Sequence, residues 1–306
     1  MDRRTFINAC TGLCLFNISG FSNVKQQFVS FAQISDMQFG MANIDAQGKL
    51  SRGIRKTIHP LKTIPEKHPL KEFQLHKYNK EIENCNICID TINKMKPNFL
   101  FVTGDMVQHM GNKKELEIFK NVIGRVHKSI KIYYVPGNHD LSGNSPQSIS
   151  NFIKEYGYDR FCFTKNNVAF IGINTEIIKS KNQNLRNSHF EWIEKSLDKV
   201  KDVSKIIVFG HTPIFMIDIN EGNSYSNFPI NERKRYVEIF NKYKVSAYHC
   251  GHTHKFNIIK SQYCCKQIVV GAVGIPLGVD ASSGYYIDDK WIKISEPNPD
   301  CSKLYI

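Results

Sequence analysis

Residues 132–140 read Ile132-Tyr133-Tyr134-Val135-Pro136-Gly137-Asn138-His139-Asp140. An apolar and aromatic run passes through a Pro-Gly turn into an amide, an imidazole and a carboxylate. Such a run, bounded by turn residues, reads as a strand buried on both faces with polar side chains at its carboxyl end. The same grammar recurs. Residues 28–34 lead into Ser35-Asp36-Met37-Gln38, 98–103 into Gly104-Asp105, 206–209 into Gly210-His211-Thr212-Pro213, and 245–249 into Cys250-Gly251-His252-Thr253-His254. Runs at 168–174 and 267–273 complete the set of strands. Segments with helical spacing at 70–95, 113–128, 148–156, 189–200 and 231–243 separate them, which predicts an α/β architecture with largely buried strands.

In such a sheet, ligands bind in the crevice beyond the carboxyl ends of the strands, so side chains from Asp36 to His254 can converge. Glycine beside four of the five clusters permits sharp turns and close approach. One Gly-Asp or Gly-His pair is an ordinary turn; five strand ends carrying Asp, Asn, Gln or His form a pattern. Carboxylate, amide and imidazole together suit Mn, Fe, Zn or Mg, and Cys250, the one cysteine in a cluster, precedes its glycine. The donors over-supply one ion. Two ions about 3.5–4 Å apart that share a carboxylate would use them all.

The chain has 306 residues, 41% hydrophobic and 23% charged, which is globular composition and excludes disordered, collagenous and coiled-coil classes. No apolar run reaches the ~18–20 residues of a membrane-spanning helix. A formal net charge of +13 favours anionic partners. Nine cysteines, an odd number without regular spacing, argue against a disulfide framework. Cys85 and Cys88 sit inside a helical pattern and read as buried thiols, and Cys264 and Cys265 lie in a strand-like segment that would point them to opposite faces.

Asp2-Arg3-Arg4-Thr5-Phe6-Ile7 resembles a twin-arginine export signal, so residues 1–27 read either as that signal or as an N-terminal arm of a cytoplasmic protein. Residues 28–295 read as one domain and 296–306 as a tail. A basic, proline-containing insertion at 43–69 and a polar one at 216–230 with Tyr225 interrupt the rhythm. His109, His127 and His189 read as surface or capping residues, and His249 as a packed core histidine.

The ordered set Asp36-x-Gln38, Gly104-Asp105, Gly137-Asn138-His139-Asp140, Gly210-His211 and Gly251-His252-x-His254 resembles the calcineurin-like metallophosphoesterases. The usual first pattern there is Asp-x-His, and Gln38 departs from it. Ser35-Asp36-Met37-Gln38-Phe39-Gly40, Tyr225-x-Asn227 and Gly274-Ile275-Pro276-Leu277-Gly278-Val279-Asp280 are similar to the subgroup of calcineurin-like phosphoesterase domain-containing serine/threonine phosphatases. The resemblance implies a four-layer sandwich, two central β-sheets flanked by helices. It also implies two divalent metal ions, one held by Asp36, Gln38, Asp105 and His254 and the other by Asp105, Asn138, His211 and His252, with Asp105 bridging. Gln38 offers a neutral oxygen in place of an imidazole, so the first site is expected to favour Mn or Mg over Zn.

Two such cations lower the pKa of a bridging water and clamp a phosphoester, so attack by the resulting hydroxide is the expected chemistry. His139 is the expected general acid for the leaving oxygen, with Asp140 orienting its imidazole. The expected activity is phosphomonoester hydrolysis, on phosphoserine or phosphothreonine of a phosphoprotein. The alternatives are a cyclic-nucleotide or other phosphodiesterase, and a basic binding module with a weakened metal site. Nucleic acid is not an expected partner, because no Arg/aromatic-interleaved stripe is present.

Overall fold

Strand β2, Phe99–Val102, shows how the layers assemble. Successive side chains of a strand point to opposite faces. Leu100 and Val102 therefore join one apolar cluster, with helical residues such as Ile89, Phe119 and Phe152, while Phe99 and Phe101 face the other way. There they meet Phe163, Phe170 and Phe209 from a second sheet, with Phe101 stacked on Phe209 at 3.9 Å between centroids. The computed structural model that shows this describes residues 29–41, 78–141 and 145–275, and the backbone of strands 283–287 and 290–295. The twin-arginine reading, the basic insertion at 43–69 and the tail at 296–306 lie outside the described residues.

The first sheet runs β11-β10-β1-β2-β3, from β1 (Phe31–Ile34), β2, β3 (Lys131–Tyr134), β10 (Ser283–Ile287) and β11 (Lys290–Ser295). Strands β1, β2 and β3 are parallel and form one side of the sheet, while β10 and β11 continue it antiparallel beyond β1, leaving β3 and β11 as the edges. The second runs β4-β5-β6-β7-β9-β8, from β4 (Phe161–Lys165), β5 (Val168–Gly172), β6 (Lys205–Phe209), β7 (Ala247–Cys250), β8 (Asn257–Ile259) and β9 (Lys266–Val269). Here β5, β6, β7 and β9 are parallel, with β4 and β8 antiparallel at the edges.

Helices α1 (Asn79–Met95), α2 (Lys113–Ile123) and α3 (Pro146–Tyr156) cover the first sheet, and α4 (Gln183–Lys199) and α5 (Ile230–Lys242) the second. This gives the expected order of helices, sheet, sheet, helices. Truncating Phe101 at the centre of the aromatic slab would cost about 3–5 kcal/mol. All seven expected strands and five expected helices are present with ends shifted in both directions: α4 begins at Gln183 rather than 189 and α3 at Pro146 rather than 148, while α2 stops at Ile123 rather than 128; within the expected 70–95 helix, residues 70–77 lie outside the described range. Strands β4, β8, β10 and β11 come in addition, as does a 3-10 turn at Thr175–Lys179.

Two expectations are corrected. His189 does not cap or face solvent: it lies inside α4, fully buried, with Nε2 2.9 Å from the Tyr236 hydroxyl. Cys264 and Cys265 do not point apart, because β9 begins only at Lys266 and the preceding turn brings their Sγ atoms to 3.8 Å. His249 is packed as expected, with Nδ1 2.8 Å from Gln33 Oε1 across the two sheets, and Cys85 and Cys88 are buried in α1.

Candidate metal centre

Every parallel strand that the sequence marks ends at the same place. The segments after β1, β2 and β3 bring Asp36, Gln38, Asp105 and Asn138 from the first sheet, and those after β6 and β7 bring His211, His252 and His254 from the second. All are buried except Asn138, which is half-buried. The oxygen donors thus come from one sheet and the imidazoles from the other.

The strand ends interlock through the backbone. Asp36 N donates to Gly104 O at 3.0 Å, Gln38 N to Asp105 O at 2.8 Å and Gly251 N to His211 O at 2.9 Å. The cost is local strain: of ten described non-glycine residues with positive φ, five are Asp36, Gln38, Asp105, His252 and His254. Such conformations persist where surrounding structure over-determines them, and they cluster at functional sites. Gly104 has φ +95, and a side chain there would drive into His211 Nδ1 and the Gly137 backbone.

Each imidazole is oriented by a backbone carbonyl. His211 Nδ1 donates to Thr103 O, His252 Nε2 to Tyr225 O and His254 Nδ1 to Ile275 O, all at 2.8 Å. The opposite nitrogens then face the centre. His211 Nε2 lies 3.1 Å from Asn138 Oδ1, 3.3 Å from Asp105 Oδ2 and 3.2 Å from His252 Nδ1, and His254 Nε2 lies 3.4 Å from Asp36 Oδ1. This carbonyl-to-imidazole arrangement is how metal-ligating histidines are held in one tautomer. Asp105, His211 and His252 have ligand atoms within 4.8 Å of one another.

Two acceptors decide whether a cation fits. Asp36 Oδ1 and Gln38 Oε1 are buried without a hydrogen-bond partner. Orphaned buried acceptors are costly unless a positive group meets them, and Asp36 Oδ1 lies 3.4 Å from His254 Nε2. The donor set fits divalent cations.

Electrostatics agree. Burial alone would raise Asp105, but the charges of His211 and His139 and their hydrogen bonds hold it well below the usual carboxylate range. Burial alone would lower His211, yet the Asp105 carboxylate pushes it up to about 10. Burial, then His211 and Lys179, keep His252 well below the usual histidine value. An anionic pole at Asp105 therefore sits among imidazoles that compete with a cation for it.

The expected pairing of Asp140 with the His139 imidazole is corrected. His139 Nδ1 lies 2.9 Å from Gln108 O, so a carbonyl of the segment after the neighbouring strand β2 orients it, and His139 N–H donates to Asp105 Oδ1 at 2.8 Å. Asp140 instead accepts the backbone N–H of Asp105 at 2.7 Å, Met106 at 2.9 Å and Gly137 at 2.8 Å. Burial and the Asp105 carboxylate push Asp140 up to about 7 against those amides. The strained turn after β2 carries two N–H groups with no strand partner, and Asp140 supplies the acceptor.

Tyr225, which the sequence marks only by a local similarity, lies over the centre. Its hydroxyl accepts from Asn138 Nδ2 at 2.9 Å and its ring packs against His252 with centroids 4.6 Å apart. Lys179 sits beyond it, bonded to Glu176 and Thr212. Gln108, Thr103 and Ile275 act through backbone carbonyls, for which a sequence carries no signal.

Comparison with known proteins agrees with this geometry. Residues 29–256 match the family model described as calcineurin-like phosphoesterase. The human serine/threonine-protein phosphatase CPPED1 is 29% identical over 216 residues, 66% of this chain and 68% of its own. "Probable glycerophosphodiester phosphodiesterase GpdQ" of Arcobacter nitrofigilis is 29% identical over 180 residues, 58% of this chain and 63% of its own. A dimetal phosphatase from Danio rerio superposes with a TM-score of 0.56 at 12% identity, covering 85% of this chain and 91% of its own. With the match spanning most of the chain and the same fold beneath it, this protein belongs to the calcineurin-like phosphoesterase family of hydrolases.

Proposed function

We propose that this phosphoesterase hydrolyses phosphomonoesters, with phosphoserine and phosphothreonine side chains as the substrate class. One observation carries the reading: His139, with its Nδ1 committed to Gln108 O, lies in direct backbone contact with Asp105, the carboxylate read as shared by the two cations. Divalent cations bound there supply Lewis acidity toward water and phosphoryl oxygens. Asp105 and Asp36 would hold the ions from the first sheet, and His211, His252 and His254 from the second. His139 Nε2 is the nitrogen left to carry a proton to the leaving oxygen, a role that asks for a half-exposed imidazole at the rim. Similarity to CPPED1 supports the phosphoprotein substrate.

The second reading is phosphodiester hydrolysis, favoured by equal identity to the GpdQ relative. After chelation and reloading with Mn, turnover of p-nitrophenyl phosphate and of a phosphothreonine peptide is expected to exceed that of bis-(p-nitrophenyl) phosphate. The reverse order would replace the first reading with the second. A protein inert to every ester, whose binding of acidic surfaces survives Asp105→Ala and falls steeply with salt, would be a binding module instead.

A further inference from the structure

Asn138 is the one amide among the oxygen donors of the first sheet that ends half-exposed, and an amide has a wrong way round. Turned by 180°, it would present NH2 to a cation. The structure fixes the choice from outside: Tyr225 Oη accepts from Asn138 Nδ2 at 2.9 Å, which leaves Oδ1 facing His211 Nε2. Tyr225 is itself 66% exposed, an unusual place for a ring that makes so defined a contact.

The loop that presents Tyr225 explains how it stays there. Arg233 of α5 is fully buried and spends its guanidinium on carbonyls of that loop: Ile219 O at 2.9 Å, Glu221 O at 2.6 Å and Phe228 O at 2.8 Å. Glu221 accepts the N–H groups of Met216, Ile217 and Asp218, and Asn227 ties Ser224 N to Gly222 O. Residues 216–228 are thus cross-braced on both sides of Tyr225. Its backbone carbonyl also holds His252 Nε2, so the same residue touches two donors of the same cation site.

We propose that Tyr225 is a positioning residue: its hydroxyl sets the orientation of the Asn138 amide, and through it the affinity of the cation site formed by Asp105, Asn138, His211 and His252. The proposal rests on the metal-centre reading. Partners of metal ligands carry about 10- to 100-fold in metal affinity. Tyr225→Phe keeps the ring on His252 and the carbonyl on its Nε2, and removes only the hydroxyl. Asn138→Asp makes the donor symmetric, so no orientation remains to be set.

The test is Mn(II) titration calorimetry with metal counting on wild type, Y225F, N138D and the double variant. Y225F is expected to weaken one of two Mn sites about tenfold in the wild-type background and to change nothing in the N138D background. Equal losses in both backgrounds, or no loss in either, would overturn the proposal while leaving the phosphoesterase reading intact. A wild-type protein that takes up no Mn would overturn both.

Discussion

Asp140 Oδ2 accepts the backbone N–H of Asp105 at 2.7 Å, so the carboxylate beside the candidate acid His139 braces the strand end that supplies the central carboxylate. Asp140→Ala would leave three amides without an acceptor, one of them that of Gly137. The expected loss is at least about 3 kcal/mol of unfolding free energy, with metal retention falling alongside. Urea unfolding and metal counting check it. A variant as stable as wild type but catalytically dead would return Asp140 to an orienting role on His139.

His139→Ala removes the imidazole but keeps the backbone N–H that donates to Asp105 Oδ1. Fold and metal content are expected to stay. Turnover of an alkyl phosphate is expected to fall by about 10²- to 10⁴-fold and that of p-nitrophenyl phosphate far less, because a good leaving group needs little proton donation. Equal loss on both substrates would remove the general-acid role.

Gln38 holds a buried Oε1 with no hydrogen-bond partner at the place where the family's usual pattern has an imidazole. Gln38→His exchanges a hard oxygen for a borderline nitrogen. Retention of Zn against Mn is expected to rise about tenfold, read by competition dialysis of the two ions. An unchanged preference would place Gln38 outside the donor set.

Burial, reinforced by the nearby Arg160 charge, lowers His189 to about 3. Its unfolded value is near 6.5, so between the two the unfolded chain binds the extra proton. The neutral imidazole therefore favours the folded state fully above about pH 6.5. That advantage is lost as pH falls toward 3, at up to about 1.4 kcal/mol per unit. The unfolding free energies of wild type and His189→Gln are expected to converge by roughly 2 kcal/mol between pH 6.5 and 5. A constant difference across that range would show that His189 takes up a proton in place.

The parallel strands were legible because burial on both faces leaves an apolar run that nothing else in the chain produces. Their polar termini were legible because Asp, Asn and His directly after such a run have no packing reason to be there. What stayed hidden has a physical cause in each case. Strand β4 has an exposed half, Thr164 and Lys165, and reads as loop. His189 looks polar until Tyr236, 47 positions away, arrives to pair with it. The partner of the His139 ring is a carbonyl, which every residue type has. Tyr225 stands in a polar insertion, and only the bracing by Arg233 turns that segment into part of the site.

The division of donors between the sheets makes ion discrimination a property of docking. Before the aromatic slab closes, one half of the molecule offers only hard oxygen and the other only nitrogen. Neither half alone presents both donor types to one ion. The full donor set therefore exists only once the two sheets have met across the aromatic slab.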